Sequence, residues 1–211
     1  MSDQPRLRIL LVGASGELGR AVEAELGQRH EVIRAGSNSG AIRIDIADPD
    51  SIRRGLAEAG PIDALCCTAG KTAFPPLAEV APQPLADSPY GLGLAHKLMG
   101  QVNLALAARD TLRDGGSITL VSGILAEHPI PGGSAAAMVN GALEAFVLAA
   151  ACELPRGLRL NLVSPTVFTE SMGKYGPYFR GYEPVPVAKA ALAYSRSVEG
   201  IATGQVFKVG Y

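Results

Sequence analysis

Seven short apolar runs punctuate the sequence, and most are continuous rather than alternating: Arg8–Val12, Glu31–Ala35, Ala41–Asp45, Asp63–Thr68, Ser117–Val121, Leu158–Val163 and Gln205–Val209. A strand wetted on one face alternates apolar with polar residues. One that is apolar throughout is covered on both faces, as in a parallel sheet. Helical patterns near residues 17–28, 49–59, 88–112, 133–154 and 186–198 supply the covers. Asp48-Pro49 marks one helix start, an N-cap followed by proline at the first helical position, and Pro186 marks another. Strand alternating with helix implies right-handed crossovers and an α/β, doubly wound parallel sheet of about seven strands. With 211 residues, 47% hydrophobic and 18% charged, the chain reads as a single domain over 1–211. Its core is large enough to need neither metal nor disulfide.

Charge and cysteine usage narrow the class further. Nineteen basic and twenty acidic side chains give a net charge of −1, with no like-charge run. A nucleic-acid or anionic-membrane surface therefore has no electrostatic footprint. The three cysteines, Cys66, Cys67 and Cys152, do not resemble a disulfide framework and point to a reducing compartment. The polar start MSDQPRLR does not read as a signal peptide, and Asn140 and Glu144 are expected to make the small-residue stretch 129–152 a poor membrane span. The expectation is a cytoplasmic protein acting on a small molecule, without nucleic acid, membrane or metal.

Residues 164–185 depart from the pattern. They hold three prolines, three glycines and five of the eleven aromatics: Phe168, Tyr175, Tyr178, Phe179 and Tyr182. The segment reads as a long loop without regular structure of its own. Aromatics concentrated there favour a lid over substrate, with Phe168, Tyr175, Tyr178 and Phe179 facing it, over a connection or an oligomer contact.

The first strand runs into Leu11-Val12-Gly13-Ala14-Ser15-Gly16-Glu17-Leu18-Gly19-Arg20 and then a helix. In such a turn the first glycine permits a tight bend, the next lets backbone approach a pyrophosphate, and the last lets helix pack close to strand. The helix start adds N–H groups and positive dipole. The pattern carries weight because it lies between the first strand and first helix of a βαβ unit; elsewhere it would be only a tight turn.

From this turn onward the chain resembles a compact short-chain dehydrogenase/reductase, over nearly all of its length. Its turn reads GxxGxxG rather than the usual GxxxGxG, a spacing similar to that of divergent and extended members. Asp45-Ile46-Ala47-Asp48 resembles the DVxD whose first two residues flank adenine, and Thr68-Ala69-Gly70 the end of NNAG. Gly115-Gly116-Ser117-Ile118 and Val121-Ser122-Gly123 resemble the fifth strand and its active-site serine. Asn161-Leu162-Val163-Ser164-Pro165 resembles NxVxPG, with Thr166 in place of glycine, and Thr203-Gly204-Gln205-Val206 the closing strand. The resemblance implies a nicotinamide dinucleotide held by Gly13, Ser15, Gly16, Glu17, Leu18, Asp45, Ile46, Ala69, Gly70, Pro165 and Val167. NAD-specific sites place an acid at the end of the second strand; here Ile33-Arg34-Ala35-Gly36-Ser37-Asn38-Ser39-Gly40 contains none. Ser37, Asn38 and Arg34 are candidates to bond a 2′-phosphate, so NADP is favoured, with NAD the alternative.

The family's proton donor is a tyrosine tuned by a lysine four residues on, and no YxxxK occurs anywhere in the sequence. By the resemblance, Ala136 stands at the tyrosine position, Asn140 at the lysine position and Lys97 at that of the fourth helix's asparagine. Only Ser122 is kept. Three readings follow. The protein is a reductase of a small carbonyl whose proton comes from another group, Lys97 first, then His96, His128 or Tyr175. Alternatively it binds NADP(H) without turnover as a regulator, or it carries out non-redox chemistry such as cyclisation, isomerisation or elimination. The helix Ser134–Leu154 is apolar around most of its circumference, which implies a homodimer or homotetramer formed through it, its own lid being the alternative cover.

Overall fold

The computed structural model describes residues 5–211, and the first four residues lie outside the description. Its seven strands are β1 (Arg8–Val12), β2 (Glu31–Gly36), β3 (Ile42–Arg43), β4 (Ile62–Cys67), β5 (Leu112–Val121), β6 (Arg159–Pro165) and β7 (Val206–Val209). The principal helices are α1 (Glu17–Leu26), α2 (Pro49–Ala59), α3 (Pro89–Leu92), α4 (Met99–Ala108), α5 (Ser134–Ala150), α6 (Met172–Tyr175) and α7 (Val187–Glu199). All strands pair in parallel in the order β3-β2-β1-β4-β5-β6-β7. Every expected strand is present, in one doubly wound domain.

Residue type explains the double cover. Leu10 lies between Ile33 and Leu65, and Ile118 between Leu65 and Leu160. Leu10, Leu65, Ile118 and Leu160 pack with α2, α4 and α5 on one face, while Ile9, Leu11, Ala64 and Val163 pack with α1 and α7 on the other. Tyr194 of α7 is fully buried and donates its hydroxyl to the Cys67 carbonyl at 2.8 Å, satisfying the one polar atom it brings into that layer. Strand order reverses beside β1, so the carboxyl ends of β1 and β4 open a crevice between diverging connections, where such sheets bind ligands.

Three expectations need correction. Residues 88–112 form not one helix but α3, a π-helical turn at Gly93–Leu98 and α4, and β5 already begins at Leu112. Close approach requires glycine at two positions here. A side chain at Gly93 would meet Thr72 Oγ1 at 2.8 Å, and one at Gly100 would meet the Ile46 carbonyl at 2.9 Å. The third strand shrinks to two residues because Ala41 bonds back to the Arg34 carbonyl before pairing begins. Residues 164–185 are not structureless, since Thr169–Ser171 makes a 3-10 turn, α6 follows, and Phe168 bridges Val185. No helix among the described residues is long and apolar enough to cross a membrane.

Candidate active site

The glycine turn builds the first wall. Gly13 has φ +91°, a left-handed conformation that disfavours any side chain, and a Cβ there would meet Thr68 Oγ1 at 2.7 Å and Ala69 N at 2.8 Å. Gly19 presses α1 onto this turn so closely that a Cβ would strike the Gly13 carbonyl and sit 2.8 Å from Ala14 Cα. Gly16 caps α1 with extended backbone and no side-chain cap, so the first N–H groups of the helix have no side-chain acceptor at Gly16. Beyond them lies a groove of about 260 Å3 lined by Gly13, Ser15, Gly16, Ser37, Asn38, Asp45, Ile46, Ala69 and Gly70 together with Ser39, Lys71 and His96. Glycine cradle, helix start and crevice together fit the pyrophosphate and adenosine of a dinucleotide.

Glu17 and Leu18, expected at the cofactor, do not line this groove. Leu18 is buried in the core, and the Glu17 carboxylate accepts from Ser171 Oγ at 2.5 Å. Arg34 lies outside the groove, 3.4 Å from Glu23 on the exposed side of β2, where strand alternation points it. The end of β2 therefore offers the groove Ser37, Asn38 and Ser39 and no carboxylate.

Lys97 belongs to the π-helical turn, a rare distortion that frequently marks functional positions. Its stem passes Gly70, where a Cβ would meet Lys97 Cγ at 2.7 Å, so the lysine reaches from the groove toward β5 only because residue 70 is glycine. The ammonium donates to the Ser122 carbonyl at 3.0 Å and to Asn140 Oδ1 at 2.7 Å. Asn140 is buried and fixed in turn, its Nδ2 donating to the Gly123 carbonyl at 3.2 Å. Burial lowers the Lys97 pKa to about 8, because desolvation penalises the charged form.

Lys97, Ser122, Ala136 and Asn140 line a second cavity, of about 200 Å3, closed by Pro165, Val167, Phe168, Tyr175 and Phe179. The sequence placed all of these at the site. Thr72 and Phe74 also line it and were missed; their signal was a proline-rich stretch with an aromatic directly after Thr68-Ala69-Gly70. Phe179 and Val167 pack on Ile124, Leu125 and Ala136, which seats the 164–185 segment on the cavity. Tyr178 is 57% exposed and stands farther out.

Ser122 takes part differently from the sequence expectation. Its hydroxyl donates to Glu144 Oε1 at 3.0 Å, so its carbonyl, not its hydroxyl, holds Lys97. Ser164 also donates to Glu144, at 3.2 Å, which leaves Tyr211 to donate to Ser164 at 2.6 Å. Burial pushes the Tyr211 pKa up to about 12. Glu144 was readable as a lone acid in an apolar helix.

The other candidate donors are placed less well. His96 lines the groove, accepts from the Lys71 N–H at 3.3 Å, and has its pKa lowered by burial. His128 stacks edge-on against Tyr211, with centroids 5.5 Å apart, and lines neither the groove nor the cavity. Cys66 and Cys67 are buried strand residues whose thiols burial pushes upward, Cys67 to about 12.

Comparison with known proteins agrees with this architecture. A family model described as Enoyl-(Acyl carrier protein) reductase matches residues 18–207. Human L-xylulose reductase is 27% identical over 184 residues, 79% of this chain and 74% of that protein. Carbonyl reductase (NADPH) 2 of Sus scrofa is 29% identical over 134 residues, 62% of this chain and 53% of that protein. The solved structure of protein lin1944 from Listeria innocua is 45% identical with TM-score 0.92, covering 96% of this chain and 99% of that one. The match runs through the sheet from α1 to β7, and the chain belongs to the short-chain dehydrogenase/reductase family.

Proposed function

We propose that this oxidoreductase is an NADP(H)-dependent reductase of small carbonyl compounds in which Lys97 supplies the proton. The carrying observation is the seating of the Lys97 ammonium. An ammonium has three N–H donors; two are committed to the Ser122 carbonyl and Asn140 Oδ1, leaving one for the cavity that Lys97 lines.

A substrate carbonyl oxygen in that cavity accepts this third bond. The ammonium polarises the carbonyl and gives up its proton as negative charge develops on the oxygen. A pKa of about 8 suits the task, since the best general acid titrates near the working pH. Asn140 and the Ser122 carbonyl keep Nζ in place through the loss and return of the proton. Glu144 acts one step behind, by holding Ser122. Phe168, Tyr175 and Phe179 exclude water around the exchanging proton.

NADP(H), when bound, supplies or takes up a hydride. Gly13, Ser15 and Gly16 would hold its pyrophosphate, Asp45, Ile46, Ala69 and Gly70 its adenosine side, Ser37 and Asn38 its 2′-phosphate, and Pro165 and Val167 its far end. An acid-free β2 end leaves a 2′-phosphate unrepelled. The name of the pig relative pairs NADPH with a carbonyl substrate, which supports the same pairing here.

Calorimetric titration with NADPH and NADH tests the cofactor, followed by NADPH consumption on a panel of aldehydes and ketones with the wild type and Lys97→Met. Tighter NADPH binding and a Lys97-dependent rate are expected. A substrate converted without loss of NADPH absorbance would overturn the redox reading in favour of isomerisation or elimination.

A further inference from the structure

We propose that the substrate carries a carboxylate on an apolar or aromatic body, and that Lys174 receives this carboxylate at the outer end of the cavity. The inference rests on the reductase reading for where the carbonyl lies, and extends it to the rest of the molecule.

The cavity beside Lys97 does not end at the lid. A second chamber of about 370 Å3 is lined by Thr72, Phe74, Ile130, Lys174, Tyr175 and Tyr178. Thr72, Phe74 and Tyr175 line both chambers, so the two make one elongated site. Its wall is mostly apolar or aromatic, and among the described residues Lys97 and Lys174 are the only charged ones on it. Among the described residues no aspartate or glutamate lines either chamber. The chain as a whole is electrically balanced, with net charge −1; here two lysines line the wall while Glu17 and Glu144 are held behind it by Ser171 and Ser122.

Lys174 is a cation left without a partner. No carboxylate lies within ion-pair distance of it among the described residues, whereas Lys208, elsewhere on the surface, is paired with Glu127 at 2.6 Å. Its ammonium instead sits 4.9 Å from the centroid of the Tyr175 ring. Lys174 and Tyr175 both line the outer chamber, so this charge belongs to its wall. The short helix α6 carries both residues, and Met172 and Tyr175 pack against the Ile124, Leu125 and Phe179 cluster, which fixes the helix relative to Lys97.

A charge beside low-dielectric aromatic walls attracts an opposite charge more strongly than one in open water. The shape of the donor set selects the anion. A phosphate site uses several cations, an arginine fork or a helix start, and the outer chamber offers a single lysine point charge above an apolar floor. A carboxylate on a flat hydrocarbon body fits that set: carbonyl at Lys97, body along Phe74 and Tyr175, carboxylate at Lys174.

Two paired measurements test this. Binding of 4-methylbenzoate and of its neutral isostere 4-methylbenzamide is followed by calorimetry, with and without NADPH. Reduction of 4-carboxybenzaldehyde and methyl 4-formylbenzoate is followed by NADPH consumption. Lys174 is exposed, so the expected preference for the carboxylate is about two- to fivefold in both pairs. The preference should shrink as salt is raised, as for any exposed ion pair. Lys174→Gln should bring the two members of each pair together, and Lys174→Arg should keep them apart. Equal binding of acid and amide by the wild type, or a preference that survives Lys174→Gln, overturns the proposal. The two readings fail separately. A Lys174-dependent carboxylate preference without NADPH consumption keeps the anion site and removes the reductase, and turnover of acid and ester alike does the reverse.

Discussion

Lys97 and Asn140 face each other at 2.7 Å, the ammonium of one helix donating to the amide oxygen of another. By the correspondence expected from sequence, a lysine would stand at position 140 and an asparagine at 97. On that reading the two residue types have traded places. An ammonium and an amide still meet in the site, but the cation now comes from the π-helical turn before α4, and α5 contributes the group that steadies it. This makes sense of a chain that keeps the cofactor groove while lacking YxxxK.

The exchange predicts a pH profile. The acid form of Lys97 predominates below about 8, so kcat/KM for carbonyl reduction should be level at neutral pH and fall about tenfold per pH unit above 8. Alcohol oxidation should rise through the same pH. Lys97→Met should lower reduction by about 10²–10⁴-fold, the usual worth of a positioned acid, and remove the inflection. The lowered pKa also has a linked effect on stability. Between about 8 and the ordinary lysine value the folded chain binds fewer protons than the unfolded one, so stability should rise with pH in that window. Denaturant titrations of Lys97→Met should show that rise missing.

Gly70→Ala should disable the site without touching a polar group. Its Cβ would occupy the path of the Lys97 stem, meeting Cγ at 2.7 Å and Cβ at 3.2 Å. Overpacking of this kind costs about 1–3 kcal/mol. A lower melting temperature together with a lost pH inflection is expected. An unaltered inflection would mean that the lysine reaches its acceptors by another route.

Ser37→Asp tests the cofactor preference. A carboxylate at the end of β2 would bond ribose hydroxyls and repel a 2′-phosphate. NADPH affinity should fall about tenfold or more, and NADH affinity should hold or improve. Fluorescence titration reads both.

The outer surfaces of α4 and α5 predict self-association. Met99 and Leu106 of α4 and Met138 and Leu148 of α5 are each more than two-fifths exposed, and Leu106 lines a surface cavity with the half-buried Phe146. An apolar face of this kind favours a twofold mate. Light scattering should give a particle that is a multiple of 21.8 kDa, and Leu106→Glu with Leu148→Glu should yield the monomer. A wild-type monomer at micromolar concentration would dismiss the oligomer.

The strands were legible because coverage on two faces is written in residue type, as at Leu10, Leu65 and Ile118. The glycine turn was legible because Gly13 and Gly19 answer local needs of backbone angle and close packing. What escaped depends on contacts between distant segments. In residues 88–112, Thr72 and Ile46 leave no room for a side chain at Gly93 and Gly100, and helical spacing takes no account of such neighbours. Ser122 was found by position, yet the direction of its hydroxyl is set by Glu144, which approaches from α5. The outer chamber joins Phe74 to Lys174, residues whose proximity only the folded chain creates.

A π-helical turn is an α-helix with one residue too many, and each residue advances a helix by about 100°. The segment Gly93–Leu98 can therefore be repaired by deleting a single amino acid. Such a deletion would restore regular hydrogen bonding and swing Lys97 off its acceptors, away from Asn140. Catalytic geometry and helical regularity are alternatives at this point of the chain, one codon apart. A shortened protein that melts higher and reduces nothing is the phenotype expected if the irregularity is kept for its chemistry.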